Sequence, residues 1–466
     1  MRIENDATVR SQRAKRWILL AAAILVIAVV VALLVPGGSE AAAASALAEP
    51  TYPERVACPI EADYYDENGE LDWEGYMADY DLWWADQQSR NALPADYAAG
   101  LEPFWGRTME IYLADTEENA VYSPLNVYMA LAMLAEITDG NSRQQILDVL
   151  GAADLEALRT QVDAIWQANY ADDGVTTSIL ANSLWLNETI AFQQQTLEQL
   201  AQYHYAATYQ GQMGSDAMNQ ALQTWLNEQT GGLLEEQVAG IELEPQTVIA
   251  LASTMYYKAA WAEEFRTDLT QPGTFYAFTG EEEADFMYQS GMRNYYWGEQ
   301  FSAVGQALNG SGSMWFILPE AGLSPQDLLQ DAETIAFALM PSQWHNVKTL
   351  QVNVTVPKFD VSSGMDLSEG LQQMGITDVF DPVSSDFTPL CDASELAVTK
   401  AQHDARVMID EQGCTAAAYT VMAVEAAALE MQTEEIDFVV DRPFIFLITN
   451  AEDVPIFVGV VNHVAP

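Results

Sequence analysis

The first 35 positions pass from a polar stretch into an unbroken apolar run, 17–35, with no charged residue inside it. At ~1.5 Å rise per residue, such a run nearly spans a ~30 Å hydrocarbon core. It reads as a membrane signal anchor or as the apolar region of an export signal. Residues 36–58 are rich in Gly, Ala, Pro and Glu and read as a linker. Within them, Ala46-Leu47-Ala48 forms a small-x-small cleavage site. Residues 59–96 mix acids with aromatics, among them Tyr64, Tyr65, Trp73, Trp83 and Trp84. This segment is either a helical extension packed on the main domain or a surface-facing spacer. From 97 to 466 apolar periodicity continues without a second linker or repeat, which gives one large domain.

Within that domain helices come first and strands dominate later. Ser123-Pro124 is a helix start, since Ser caps and Pro is tolerated at the first helical position. Val127, Ala130, Leu131 and Leu134 recur at helical spacing behind it. Gly140 is expected to end that helix, and Asn141-Ser142 to open another with Ile146 and Leu150 on one face. Residues 180–187, 247–258, 314–319, 351–358, 436–440 and 444–449 are apolar or alternating and read as strands. Helices packed on large, mainly antiparallel sheets make the class α+β.

Charge changes this picture at both ends. Acidic residues number 68 and basic residues 18, a formal net charge of −50. That excludes a sequence-independent nucleic-acid binder and disfavours heparin-like polyanions. Arg2, Arg10, Arg13, Lys15 and Arg16 all precede the apolar run, which keeps the N-terminus cytoplasmic and exports the rest. An extracellular or cell-surface location follows, anchored or secreted. Cys58, Cys391 and Cys414 are the three cysteines. They show no metal-ligand spacing, and they read as incidental thiols, with a Cys58–Cys391 bridge left open.

Catalytic signatures are missing. There is no GxSxG, no HExxH, no phosphate-binding glycine loop and no dinucleotide fingerprint. Carboxylates abound, so an acidic hydrolase stays on the table, but nothing singles out a pair. No cofactor or metal is expected.

The informative segment is 411–435, EQGCTAAAYTVMAVEAAALEMQTEE. It lies between two predicted strands, 406–409 and 436–440. From Gln412 to Val424 it holds neither charge nor Pro, and Cys414, Ala416, Ala418, Thr420, Met422, Val424 and Ala426 are all small or apolar. That period of two is what a strand buried on one face requires. An exposed connection of this length ordinarily carries Pro, Asn and charge. The segment therefore reads as a loop that is also able to become a central strand; locally, a plain buried strand or an Ala-rich helix would look the same.

Here the sequence resembles a known family, the serpins. Residues 119–126 (NAVYSPLN) and 141–147 (NSRQQIL) resemble its first conserved helix block. Residues 255–258 (MYYK) with Trp261, 357–359 (PKF), 371–380 (LQQMGITDVF) and 398–400 (VTK) with His403 follow in family order. Glu411-Gln-Gly413 and Ala416-Ala417-Ala418 resemble the proximal hinge of a reactive loop, and Arg442-Pro443-Phe444 with Phe457 resembles the C-terminal strands. The resemblance implies three β-sheets, eight or nine helices and an exposed reactive loop. It also implies a monomeric suicide-substrate protease inhibitor, or alternatively a non-inhibitory member that acts as a binding or chaperone protein.

The family's hinge maps to Glu411, Gly413, Cys414, Ala416, Ala417 and Ala418. Gly413 would lend permissive dihedrals, and Cys414 stands where Thr is usual. Tyr419 is large for this region but falls on the outward parity, where it would face solvent. The family's hydrogen-bonded shutter, where the main sheet opens, maps to Ser123, Asn126, Ser253 and His403. Asn126 and Ser253 look exchanged relative to the family pattern. Trp261 maps to core packing near the point where the loop inserts. Counting from Gly413 places the reactive bond at Ala427–Ala428, with Ala428–Leu429 next. Counting back from Pro443 points instead near Gln432, but inserting past Glu430 would bury an unpaired carboxylate. No Lys or Arg lies between Arg406 and Arg442. A small primary pocket therefore fits, which implies elastase-like serine proteases, with chymotrypsin- or subtilisin-like enzymes served by Leu429 or Met431.

Overall fold

The computed structural model describes residues 44–66, 68–90, 97–114, 117–309, 312–399, 401–414 and 434–464. The apolar run 17–35 lies outside them. Among the described residues no helix is long and apolar enough to cross a membrane.

The helix Pro124–Ile137 is the hub of the core. The Ser123 side chain caps it by accepting from the Asn126 amide, Pro124 occupies its first position, and all but one of its residues are buried. It ends at Ile137, three residues before Gly140, which instead opens the next helix, Gly140–Leu150. Thr138 ends the first helix because its side chain donates to the Leu134 carbonyl and its backbone is extended.

Two sheets pack around this hub. The main sheet runs in the order Ser45–Ala48, Ala206–Gly211, Thr176–Asn187, Ile249–Ala260, Gly413–Cys414, Gln402–Ile409, Phe359–Asp366. Only Thr176–Asn187 and Ala206–Gly211 pair in parallel; the other neighbours are antiparallel. Strand parity sorts side chains to two clusters: Leu180 and Leu184 face the central core, while Ala181 and Trp185 pack beneath the helix Asp216–Gln229 on the other face.

The second sheet has nine strands, and the expected division into three sheets is not kept. The long strand Gly280–Trp297 pairs with Gln271–Ala277 through its first half and with Phe301–Ala307 through its end, so two sheets fuse into one. Val347–Pro357 pairs along nearly its whole length and stiffens the fusion. Between 97 and 466 ten α-helices are described; two, Glu235–Val238 and Pro325–Leu329, are about one turn, leaving eight longer ones.

The described part of the stretch read as a linker is not free-standing. Ser45–Ala48 adds an edge strand to the main sheet, and Tyr52 packs its ring 5.4 Å from Trp166 and 5.6 Å from Tyr170. The acidic segment beyond it forms the helix Trp73–Arg90, which buries Trp83 against Cys58 and Val175. Gln87 of this helix donates to Asp173, whose carbonyl also accepts from the Cys58 amide. All three cysteines are buried and free, so the Cys58–Cys391 bridge is not formed.

Candidate functional site

The short strand Gly413–Cys414 lies in the middle of the main sheet. Gly413 and Cys414 pair with Ala260 and Ala259 on one side, and Cys414 pairs with Ile409 on the other. Among the described residues, no ladder joins Ile249–Ala260 directly to Gln402–Ile409; this two-residue piece is what links them. The two strands still approach each other elsewhere along that seam, but the ladder bonds that join them run through this piece.

Four contacts fix the piece in place. The Trp261 backbone amide donates to the Gln412 carbonyl and its indole Nε1 donates to the Asp410 carbonyl at 2.8 Å. Trp261 is buried and meets Phe265 edge-on. Glu411 forms an ion pair with Lys358 at 2.8 Å and accepts from Thr270 Oγ1 at 2.8 Å. Burial pushes the Glu411 carboxyl up, but Lys358 and Thr270 outweigh it, so its pKa lies below the ordinary value. Gly413 is not in the left-handed region; a Cβ there would meet the Ala259 carbonyl oxygen at 2.3 Å. In this state glycine is needed for close approach rather than for unusual dihedrals. Cys414 is buried with Sγ 3.6 Å from Met314 Sδ, and burial keeps its thiol protonated by pushing its pKa up.

Ser253 and His403 occupy the two rims of the seam, on Ile249–Ala260 and Gln402–Ile409, and the start of the helix Pro124–Ile137 reaches both. The Ser123 amide donates to His403 Nε2 at 3.0 Å. Burial pushes the His403 pKa down to about 4, so the ring is neutral and carries its proton on Nδ1. On the other rim, Ser253 Oγ lies 2.6 Å from the Asn126 side-chain amide and 2.7 Å from Asn182 Oδ1. One hydroxyl proton cannot serve two carbonyls. The conflict is removed when Asn126 turns its amide to donate to Ser253 and Ser253 donates to Asn182, the Asn126 oxygen then taking the buried position that has no partner. The amide at 126 and the hydroxyl at 253 thus bond each other directly. Asn182 completes the network and sequence reading missed it, although an Asn-Ser pair in the middle of an apolar strand is a visible signal. Lys358 and Thr270 were also missed as partners of Glu411, because they are far from it in the chain.

Ala416, Ala417, Ala418, Ala427, Ala428 and Leu429 lie outside the described residues. Among the described residues no group of three or more His, Cys, Asp or Glu side chains is placed to hold a metal.

Comparison with known proteins gives a consistent answer. A family model described as serpin (serine protease inhibitor) matches residues 108–464. Serpin-ZX of Arabidopsis thaliana is 28% identical over 358 residues, covering 73% of this chain and 91% of its own. The leukocyte elastase inhibitor of Sus scrofa is 27% identical over 340 residues, covering 71% of this chain and 89% of its own. Among solved structures, native tengpin, a thermophilic serpin, superposes with a TM-score of 0.68 at 23% identity, covering 77% of this chain and 92% of that one. The last shows the fold alone.

Proposed function

We propose that this chain, which belongs to the serpin family, is a suicide-substrate inhibitor of serine proteases with elastase-like enzymes as its target class. The observation that carries this reading is the seat of Gly413–Cys414 between two central strands that no other ladder joins among the described residues. The sequence beyond it is suited to continue that strand: no charge and no Pro interrupt it before Glu425. A strand added there gains main-chain hydrogen bonds on both edges.

In this mechanism the protease serine attacks the Ala427 carbonyl. The Ala427–Ala428 bond breaks, an ester forms between Ala427 and the serine, and the new amine at Ala428 leaves with the C-terminal piece. The loop from Thr415 onward then zips into the seam that Ser253 and His403 border. It carries the tethered protease with it before water releases the ester. Ser123, Asn126 and Asn182 hold the rims until that moment, and Trp261 and Glu411 fix the pivot.

Target class follows from the bond. Ala at 427 fills a small primary pocket, and no cation lies between Arg406 and Arg442 for a trypsin-like one. The name of the porcine relative, an elastase inhibitor, agrees with this. Leu429 and Met431 offer second-choice bonds to chymotrypsin- or subtilisin-like enzymes. The net charge of −50 suits cationic proteases by steering and disfavours a polyanionic activator. We place the inhibitory domain outside the cytoplasmic membrane, exported by the segment 17–35.

The test is incubation of the purified full chain with an elastase. An SDS-resistant adduct containing both proteins is expected. Cleaved chain with fully active elastase and no adduct would overturn the reading.

A further inference from the structure

We infer that the cavity between the main sheet and the helix Asp216–Gln229 is the receiving site for the side chain of Tyr419. This rests on the insertion mechanism above and adds to it the place where one residue of the loop ends up.

The cavity holds about 350 Å³ and is lined by Trp185, Leu222, Leu226, Leu234, Thr254 and Asp404, among others. Its walls are mainly apolar and it is partly open, with the exposed residues Glu242, Glu244 and Asp366 also lining it. Asp404 and Thr254 bring polar atoms to its sheet side.

The register says which loop residue reaches it. Cys414 is opposite Ala259 on one neighbour and Ile409 on the other. Continuing both antiparallel ladders one residue at a time puts Ala416 between Tyr257 and Val407, and Ala418 between Met255 and Ala405. These neighbours are buried on the core face. The alternate residues face the opposite way. Ala417 comes between Tyr256 and Arg406, and Tyr419 between Thr254 and Asp404, the two lining residues just named.

That outward face is partly covered at this level. Arg406 Nη1 donates to the Leu233 carbonyl at 2.8 Å, so the segment after the helix closes over the sheet just above. Thr254 is only 1% exposed. A ring at 419 therefore lies against buried sheet, with one partly open space of matching size and polarity beside it. A Tyr in a stretch otherwise made of Ala, Thr and Val is bulky in the loop but fills a void once inserted.

The experiment compares the intact full chain with the same chain cleaved within 415–433 by limited proteolysis, using guanidinium denaturation. Wild type, Tyr419→Ala and Tyr419→Phe are measured in both forms. Equal midpoints are expected for the three intact proteins, with a higher midpoint for cleaved wild type. Cleaved Tyr419→Ala should fall below cleaved wild type by on the order of 0.5 M, and Tyr419→Phe should keep most of the gain. If all three cleaved proteins gain equally, insertion stands but Tyr419 does not fill the cavity, which is then left to collapse or to a diffusible ligand. If cleaved wild type gains nothing, insertion itself fails and this inference with it.

Discussion

Replacing Ser253 with Ala tests the hydrogen-bonded rim of the seam. The hydroxyl links the fully buried amides of Asn126 and Asn182 at 2.6 and 2.7 Å. Its removal leaves each amide short of a partner, at about 1–3 kcal/mol apiece. The lost hydroxyl no longer needs desolvation, which offsets part of this, so a net loss of about 2–4 kcal/mol is expected. Guanidinium unfolding of the intact chain at neutral pH reads it as a lower midpoint at unchanged slope. The register adds a second expectation. In the loop-cleaved protein Thr420 would come between Ser253 and His403 with a hydroxyl of its own, so the loss there should be smaller. A loss below about 0.5 kcal/mol in the intact protein would refute the network, and equal losses in both forms would refute the register.

Three further outcomes follow. The folded-state His403 pKa of about 4 lies below its ordinary value, so the unfolded chain binds the proton first. Stability should be complete above about pH 6.5 and fall by roughly 3 kcal/mol as pH drops toward 4; in His403→Gln that part of the pH dependence should vanish, as read by denaturation at pH 7 and pH 4.5. Ala418→Arg would carry a guanidinium between Met255 and Ala405 on the core face, a penalty of several kcal/mol; the variant should be cleaved as a substrate with at least about tenfold more molecules consumed per protease trapped, and an unchanged ratio would contradict insertion past that point. Tyr52→Ala removes a ring packed on Trp166 and Tyr170, and a loss of about 2–3 kcal/mol in the intact chain is expected, whereas no loss would mean the segment 44–58 adds nothing to the domain.

The segment 411–435 stood out in the sequence because its composition runs against the rest of the chain. In a protein with 68 acids, the uncharged alternation from Gln412 to Val424 needs a reason, and a strand-forming loop supplies one. The strands that are buried on both faces, such as Ser313–Pro319 and Phe444–Thr449, were equally plain, being apolar throughout. Gly280–Trp297 was not, because its exposed half reads GEEEADFM and carries acids where a strand signal wants apolar residues. Ser45–Ala48 was hidden for a different reason: an edge strand of Ser, Ala and Leu takes its pairing from Ala206–Gly211, and nothing local announces it. At the site, the types of residue at 123, 126, 253 and 403 were readable, but not the bonds among them. Asn182 joins them through strand pairing opposite Ser253, which is a property of register and not of local sequence. The role of Gly413 shifted likewise, since the nearness of the Ala259 carbonyl exists only once the strands are assembled.

The most direct measurement is the intact mass of the product formed when the full chain meets an elastase. The expected species contains the protease joined to residues up to Ala427, together with a released peptide beginning at Ala428, and it persists in SDS. A hydrolysed chain with free, active elastase, or an ester at a residue that leaves no room for the strand from Cys414 to Val424, would contradict the mechanism.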